Sequence, residues 1–305
     1  MATAMPLSGG TPHHLQWERT VVQGRPALYG VAGEGLPVVF LHGWGLGQHS
    51  YKRALKRLVQ LGVRVYAPAL PGFGGTPDLP RSGFSFEGYA AWLDAFLDAV
   101  GVDEPVFMVG HSFGGGVAIK TAHDFPGRVR TLVLVNSLGG AMHGRPLWDW
   151  GIHFPLDVRN VRSLSRVVPV VFEDAVPNVM RNPRAMWKVT HLARQADLTP
   201  ELEELRAREL PVVVLWGRND GVIPRASFDA LCAAIGAEGE VVDGSHSWLL
   251  ADPDAFGAVM TNVVSVAKLA WEADRKAKET APPAAPAPSR RRRLLGLLPG
   301  VGSPD

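Results

Sequence analysis

Residues 105–116 read PVFMVGHSFGGG, and this stretch decides the fold. Pro105–Val109 is a short, continuously apolar run, as a strand shows when both of its faces are buried. It runs straight into Gly110-His111-Ser112-Phe113-Gly114, and Gly115–Asp124 then has helical spacing. A strand that becomes a helix within so few residues turns so tightly that the residue at the apex is strained. Residues two before and two after it must lack a Cβ to avoid collision. Gly110 and Gly114 stand there. The turn lifts the Ser112 hydroxyl clear of the sheet and sets it at a helix N-terminus, where developing negative charge is favoured.

On either side, short apolar runs alternate with longer helix-like segments, the pattern of a mostly parallel sheet covered by helices. Leu15–Val22 and Ala27–Val31 alternate weakly around Gly24-Arg25-Pro26, which predicts a hairpin. Pro37–Leu41 (PVVFL) is a buried strand, Tyr51–Leu61 a helix, Val63–Ala67 a strand and Phe86–Val100 an amphipathic helix. Val129–Val135 follows the serine helix as another strand. The alternation stops near Ser137 and resumes at Pro211–Trp216 (PVVVLW), Ala226–Ile235, Gly239–Val242 and Pro253–Trp271. The reading is an extension over 1–14, a core over 15–136 and 210–271, an inserted helical cap over 137–209, and a tail over 272–305. In the cap the large apolar groups Trp148, Trp150, Phe154, Phe172, Met180, Met186 and Trp187 are expected to pack onto the core.

Bulk properties narrow the function classes. The 305 residues carry a formal net charge of +2, so no strong overall field draws nucleic acid or membrane. The single cysteine, Cys232, forms no intramolecular disulfide and no thiolate metal cluster. No apolar run resembles a leader peptide or a membrane span, which points to a cytoplasmic protein. No metal ligand spacing or phosphate-binding loop appears, and neither metal nor cofactor is expected. The tail over 272–305 is expected to be disordered, with Ala281–Pro288, Pro/Ala-rich, as an extended linker. Arg290, Arg291, Arg292 and Arg293 then precede a leucine-rich stretch. These arginines read as a solvated tail, with weak contact to an anionic membrane surface as the sharper alternative. No aromatic interleaves them, which argues against nucleic acid.

A serine hydroxyl attacks only when a base takes its proton. The base is expected late in the chain, after the last strand, where His246 stands in DGSHSW. The orienting acid is expected after the penultimate strand, where Asp220 stands in LWGRNDGVIP. The order serine, acid, histidine fits a strand–turn–helix nucleophile. Asp243 is the competing acid. The position after Val129–Val135, another place for an acid, carries Asn136. Backbone N–H groups of Phe113 and Trp44 are the expected oxyanion donors, Gly43 letting the chain approach closely.

The matches FLHGWG at 40–45, PGFG at 71–74, GHSFGGG at 110–116, LWGRNDGVIP at 215–224 and GSHSWLLADP at 244–253 resemble the α/β-hydrolase family. The likeness is to its capped serine hydrolases with an HGW-type oxyanion loop, and it covers Leu15 to Trp271. It implies an eight-stranded, mostly parallel sheet flanked by helices, a helical cap, and hydrolysis through an acyl-enzyme with Ser112, His246 and Asp220. Two departures leave the substrate open. Pro68-Ala69-Leu70-Pro71 lacks an aspartate that relatives often carry, and His246 is followed by Ser247-Trp248 rather than an aromatic-proline pair.

His42 and Trp248 flank the expected site and are candidate pocket residues; His42 and His111 also read as structural hydrogen-bonding groups. The expected substrate is a small, apolar carboxylic ester. Two alternatives share the fold. One is a C–C bond hydrolase of a diketone-type acid, with Arg159, Arg162 or Arg184 holding a carboxylate. The other is a non-catalytic ligand-binding protein. Dehalogenase and epoxide hydrolase chemistry uses an aspartate where this chain has Ser112.

Overall fold

In the computed structural model, residues 14–140 and 161–280 are described. Eight strands form one sheet: β1 Gln16–Val22, β2 Arg25–Ala32, β3 Pro37–Leu41, β4 Arg64–Pro68, β5 Val106–His111, β6 Val129–Val135, β7 Val212–Gly217 and β8 Glu240–Val242. The spatial order is β1-β2-β4-β3-β5-β6-β7-β8. β1 and β2 pair antiparallel, as do β2 and β4; every other pair is parallel. β3 and β5 are buried throughout, which is why their sequences are continuous apolar runs.

The hairpin forms, but its turn is Gln23-Gly24, both at positive φ (50° and 76°). Such a two-residue turn matches the twist of the strands it joins. Pro26 lies inside β2 opposite Val21. It is tolerated because β4 pairs only with Tyr29–Ala32, beyond the proline.

Helices α1 Lys52–Gln60, α2 Phe86–Ala99 and α3 Phe113–Asp124 lie in the first half. Ser85 caps α2, its hydroxyl accepting from the Gly88 N–H at 3.2 Å. The inserted segment is helical where it is described: α4 Val161–Val170, a wide turn over Val171–Ala175, α5 Val176–Arg181, α6 Pro183–Arg194 and α7 Thr199–Ala207. Then follow α8 Arg225–Ile235, α9 Trp248–Ala251 and α10 Pro253–Thr280.

Two expectations are corrected. Phe172, Met180 and Trp187 are 68%, 77% and 57% exposed rather than packed inward. On α6 the buried face is Ala185, Met186, Val189 and Ala193, and Trp187 falls on the other side of the helix. Trp148, Trp150 and Phe154 lie outside the described residues. The last helix also runs past Trp271 to Thr280, because EADRKAKET is rich in strong helix formers. An i,i+4 pair, Arg275 with Glu279, adds to it. Arg290 to Arg293 lie outside the described residues.

From β3 the chain goes out to β4 and returns to β5 on the opposite side of β3. Such a reversal opens a crevice beyond the carboxyl ends of β3 and β5. The turn after β5 fills part of it at close quarters. A Cβ on Gly114 would lie 2.5 Å from the Leu41 carbonyl oxygen and 2.6 Å from that of His42. Gly114→Ala is expected to lower unfolding stability by about 2 kcal/mol or more, since backbone must shift. Urea unfolding checks this, and an unchanged midpoint would contradict the packing.

Candidate active site

Ser112 sits at the apex of the β5–α3 turn with φ 55° and ψ −118°, a sparsely populated conformation for a side chain-bearing residue. The turn is braced from three sides. The Ser112 N–H donates to Val135 O (3.1 Å), and its carbonyl accepts from Gly115 N (3.0 Å) and Leu138 N (3.2 Å). A Cβ on Gly110 would lie 2.5 Å from Gly115 Cα, so both glycines read from the sequence are required.

The three groups singled out in the sequence meet. His246 Nε2 is 3.0 Å from Ser112 Oγ, and His246 Nδ1 is 2.9 Å from Asp220 Oδ2. His246 is 4% exposed and the Asp220 side chain 0%. Asp243, the rival acid, is exposed.

Asp220 is held by its own turn. Its Oδ1 accepts from the N–H groups of Val222 (2.7 Å) and Ile223 (2.8 Å). That leaves Oδ2 for His246 and for the Asn136 amide. Burial pushes the carboxyl upward. The imidazole of His246 and these hydrogen bonds outweigh it and hold the group below its usual range, as a carboxylate. The histidine loop is drawn against the acid by close backbone contact: Asn219 N donates to Gly244 O at 2.9 Å. A Cβ on Gly217 would lie 2.6 Å from Ser245 O.

Asn136 links groups that the sequence left separate. It is fully buried and has φ 45°, a backbone region asparagine tolerates better than most residues. Its Nδ2 donates to Asp220, and its Oδ1 accepts from Trp248 Nε1 at 2.8 Å. Trp248 thus braces the acid through Asn136.

The loop after β3 lies against the nucleophile. A Cβ on Gly43 would be 3.3 Å from that of Ser112. Next to it, Trp44 donates its indole N–H to Met186 O on α6 at 3.2 Å. Phe113 is the first residue of α3, so its N–H has no partner within the helix. Further bonds join this rim to the inserted helices. Asn178 donates to Gly45 O (3.0 Å) and accepts from Gly74 N (3.2 Å), and Ser50 donates to Asp174.

Two buried histidines frame the site without facing outward. His42 donates from Nδ1 to Gly43 O (2.9 Å) and accepts at Nε2 from Leu70 N (2.9 Å). It ties the loops after β3 and β4 together and has no ring nitrogen left for a ligand. His111 Nε2 is 3.0 Å from His246 O, and its Nδ1 is 2.7 Å from Tyr51 Oη. A carbonyl only accepts, so Nε2 carries the proton and Nδ1 accepts from the tyrosine hydroxyl. Tyr51 Oη in turn accepts from Gly43 N at 3.1 Å. One continuous chain therefore runs from the Gly43 N–H through Tyr51 and His111 to the backbone of His246. Tyr51 belongs to no local motif, and nothing in the sequence announces its role.

A profile of the alpha/beta hydrolase family matches residues 38–259. With this sheet and strand–turn–helix, the chain belongs to that family. Among its relatives is a protein of Mycobacterium phage D29 named as a candidate non-heme haloperoxidase. The two are 28% identical over 239 residues, 73% of this chain and 85% of the relative. A 2-hydroxy-6-oxo-6-phenylhexa-2,4-dienoate hydrolase of Comamonas testosteroni is 29% identical over 64% of this chain and 75% of its own length. A pimeloyl-(acyl-carrier protein) methyl ester esterase of Aromatoleum aromaticum is 28% identical over 74% of this chain and 97% of its own. Among the described residues no helix is long and apolar enough to cross a membrane.

Burial drives both framework histidines down, His42 to about 4 and His111 to about 3. The unfolded chain takes up these protons near 6.5. Between about pH 6.5 and 4 it therefore binds more protons than the folded chain, and stability falls as pH falls. Each unit of displacement corresponds to about 1.4 kcal/mol, so the urea midpoint is expected to drop markedly from pH 7.5 to 4.5. A midpoint that held steady would contradict two neutral buried rings. Tyr51→Phe, which leaves the Gly43 N–H and His111 Nδ1 unpaired, is expected to cost about 2–4 kcal/mol in the same assay at pH 7.5; an unchanged midpoint would rule the chain out.

Proposed function

We propose that this protein hydrolyses a small, apolar carboxylic ester through an acyl-enzyme. Ser112 is the nucleophile, His246 the base and Asp220 the acid that orients it. The observation that carries the reading is the pair of hydrogen bonds on His246, 3.0 Å to Ser112 Oγ and 2.9 Å to Asp220 Oδ2. With Nδ1–H donated to a carboxylate, Nε2 is the unprotonated nitrogen and takes the serine proton. The hydroxyl oxygen adds to the ester carbonyl. The N–H groups of Phe113 and Trp44 receive the oxyanion, the first of them also at the positive end of α3. The imidazolium returns the proton to the leaving alcohol, and water then releases the acid by the same steps in reverse. Asp220, held as a carboxylate, stabilises the imidazolium in between.

Residues 137–209 act as a cap in this reading, supported by the bonds of Trp44 to Met186 and of Asn178 to Gly45 and Gly74. The Comamonas relative's name supports a second reading, cleavage of a C–C bond in a diketone-type acid by the same triad. That substrate needs a cation for its carboxylate. Of the three arginines suggested by the sequence, Arg184 is on the exposed side of α6, while Arg159 and the Arg162 side chain lie outside the described residues.

A fluorophosphonate probe is expected to label the wild type and not Ser112→Ala; equal labelling of both would refute the nucleophile. Asp220→Asn should retain the fold and lose about 10³- to 10⁴-fold in kcat on p-nitrophenyl butyrate. Faster turnover of a phenylhexadienoate-type acid than of any simple ester would instead establish the second reading.

A further inference from the structure

Four cavities gather around the first two turns of α1, and none of their linings includes Ser112, Asp220 or His246. Lys52 lines three of them, Arg53 three and Lys56 two. The sequence KRALKRLVQ explains the arrangement. Ala54, Leu55, Leu58 and Val59 face inward, so the cations at 52, 53 and 56 are left on the outer face. Among the described residues none of these three is in an ion pair, whereas Arg57 is paired with Asp254. No acid stands in the first turn of α1. A bound anion would offset the charge of these three cations, which no acid of their own helix turn balances.

The cavity of about 370 Å³ has a second wall of different character. Leu15 and Trp17, at the start of the hairpin, stand against Lys52, Arg53 and Lys56 of α1; Val59 of that same helix and His14 complete the lining, which holds no carboxylate. Trp17 is 40% exposed and is seated firmly. It pairs across the hairpin with Gly30, where a Cβ would lie 2.6 Å from its ring. Its ring also lies 3.9 Å from that of His49. Glu173 and Asp174 line the neighbouring cavity, where Asp174 is engaged by Ser50.

We propose that this trough is a second, non-catalytic binding site for an anionic amphiphile. A phosphate or carboxylate head is held by Lys52, Arg53 and Lys56, and an apolar body lies on Leu15, Trp17 and Val59. Cations on one wall and an aromatic–aliphatic surface on the other match a molecule with both parts, and a bare anion uses only half of the site. The proposal does not depend on the chemistry at Ser112.

Calorimetric titration of the full chain tests it with dodecyl phosphate below its micelle concentration, inorganic phosphate and neutral dodecyl maltoside. Dodecyl phosphate is expected to bind one per chain, at least about tenfold tighter than either of the others. The triple variant Lys52→Glu, Arg53→Glu, Lys56→Glu should weaken it by at least about tenfold, and Arg19→Glu on β1 should not. Trp17→Ala should weaken dodecyl phosphate and leave inorganic phosphate as it was. If the triple charge reversal fails to fold, the corresponding glutamines replace it. Equal affinity of wild type and triple variant, or maltoside binding as tight as phosphate, would overturn the site. So would binding to phosphatidylglycerol vesicles without binding of the monomeric amphiphile, which would mark mere adsorption to charged bilayers.

Discussion

The turn after β5 and the last carbonyls of β3 approach so closely that only a hydrogen fits between them. Gly114 stands within 2.6 Å, measured from a Cβ it does not have, of both Leu41 O and His42 O. Everything at the crevice follows from that contact. It brings Gly43 against Ser112. It also accounts for the strained apex at Ser112, which is held by bonds to β6 and to the start of α3 rather than by any side chain. Strain of this kind persists only where the surroundings over-determine it, and here three backbone hydrogen bonds do so.

Around that contact the protein builds polar struts in a dry interior. Tyr51, His111 and His42 carry hydrogen bonds between loops that would otherwise share only van der Waals contact. Their satisfaction is complete, which is what makes burial tolerable. Neutral imidazole suits the task because one nitrogen donates while the other accepts, so a single ring joins two elements of opposite need. Asn136 uses its amide the same way between Trp248 and Asp220.

The frame was legible in the sequence because it rests on local rules. PVFMV and PVVFL are apolar on both faces, and strands β5 and β3 are buried along their length. Gly110 and Gly114 were readable as steric necessities, and the separated positions 112, 220 and 246 do come together. What escaped was of two kinds. Long-range partners such as Tyr51 with His111 lack a motif, since the pairing spans 60 positions and depends on α1's placement. Side-chain direction in the inserted helices was the other. Composition says that Phe172, Met180 and Trp187 are apolar, not which side of a helix meets the core. α10 outlasts the change of composition after Trp271, since helix formers continue to Thr280.

Among the described residues, the inserted helices are tied to the crevice by bonds from Asn178 to Gly45 and Gly74, and from Trp44 to Met186. None of these touches the struts among Tyr51, His111 and Asn136. The molecule is thereby divided into a part that tolerates little change and a part that tolerates much. In the proposed reading, replacements along α5 and α6 would reshape what enters the crevice while the hydroxyl, imidazole and carboxylate keep their spacing. A lineage descending from this chain could therefore drift in selectivity one helix residue at a time without passing through inert intermediates.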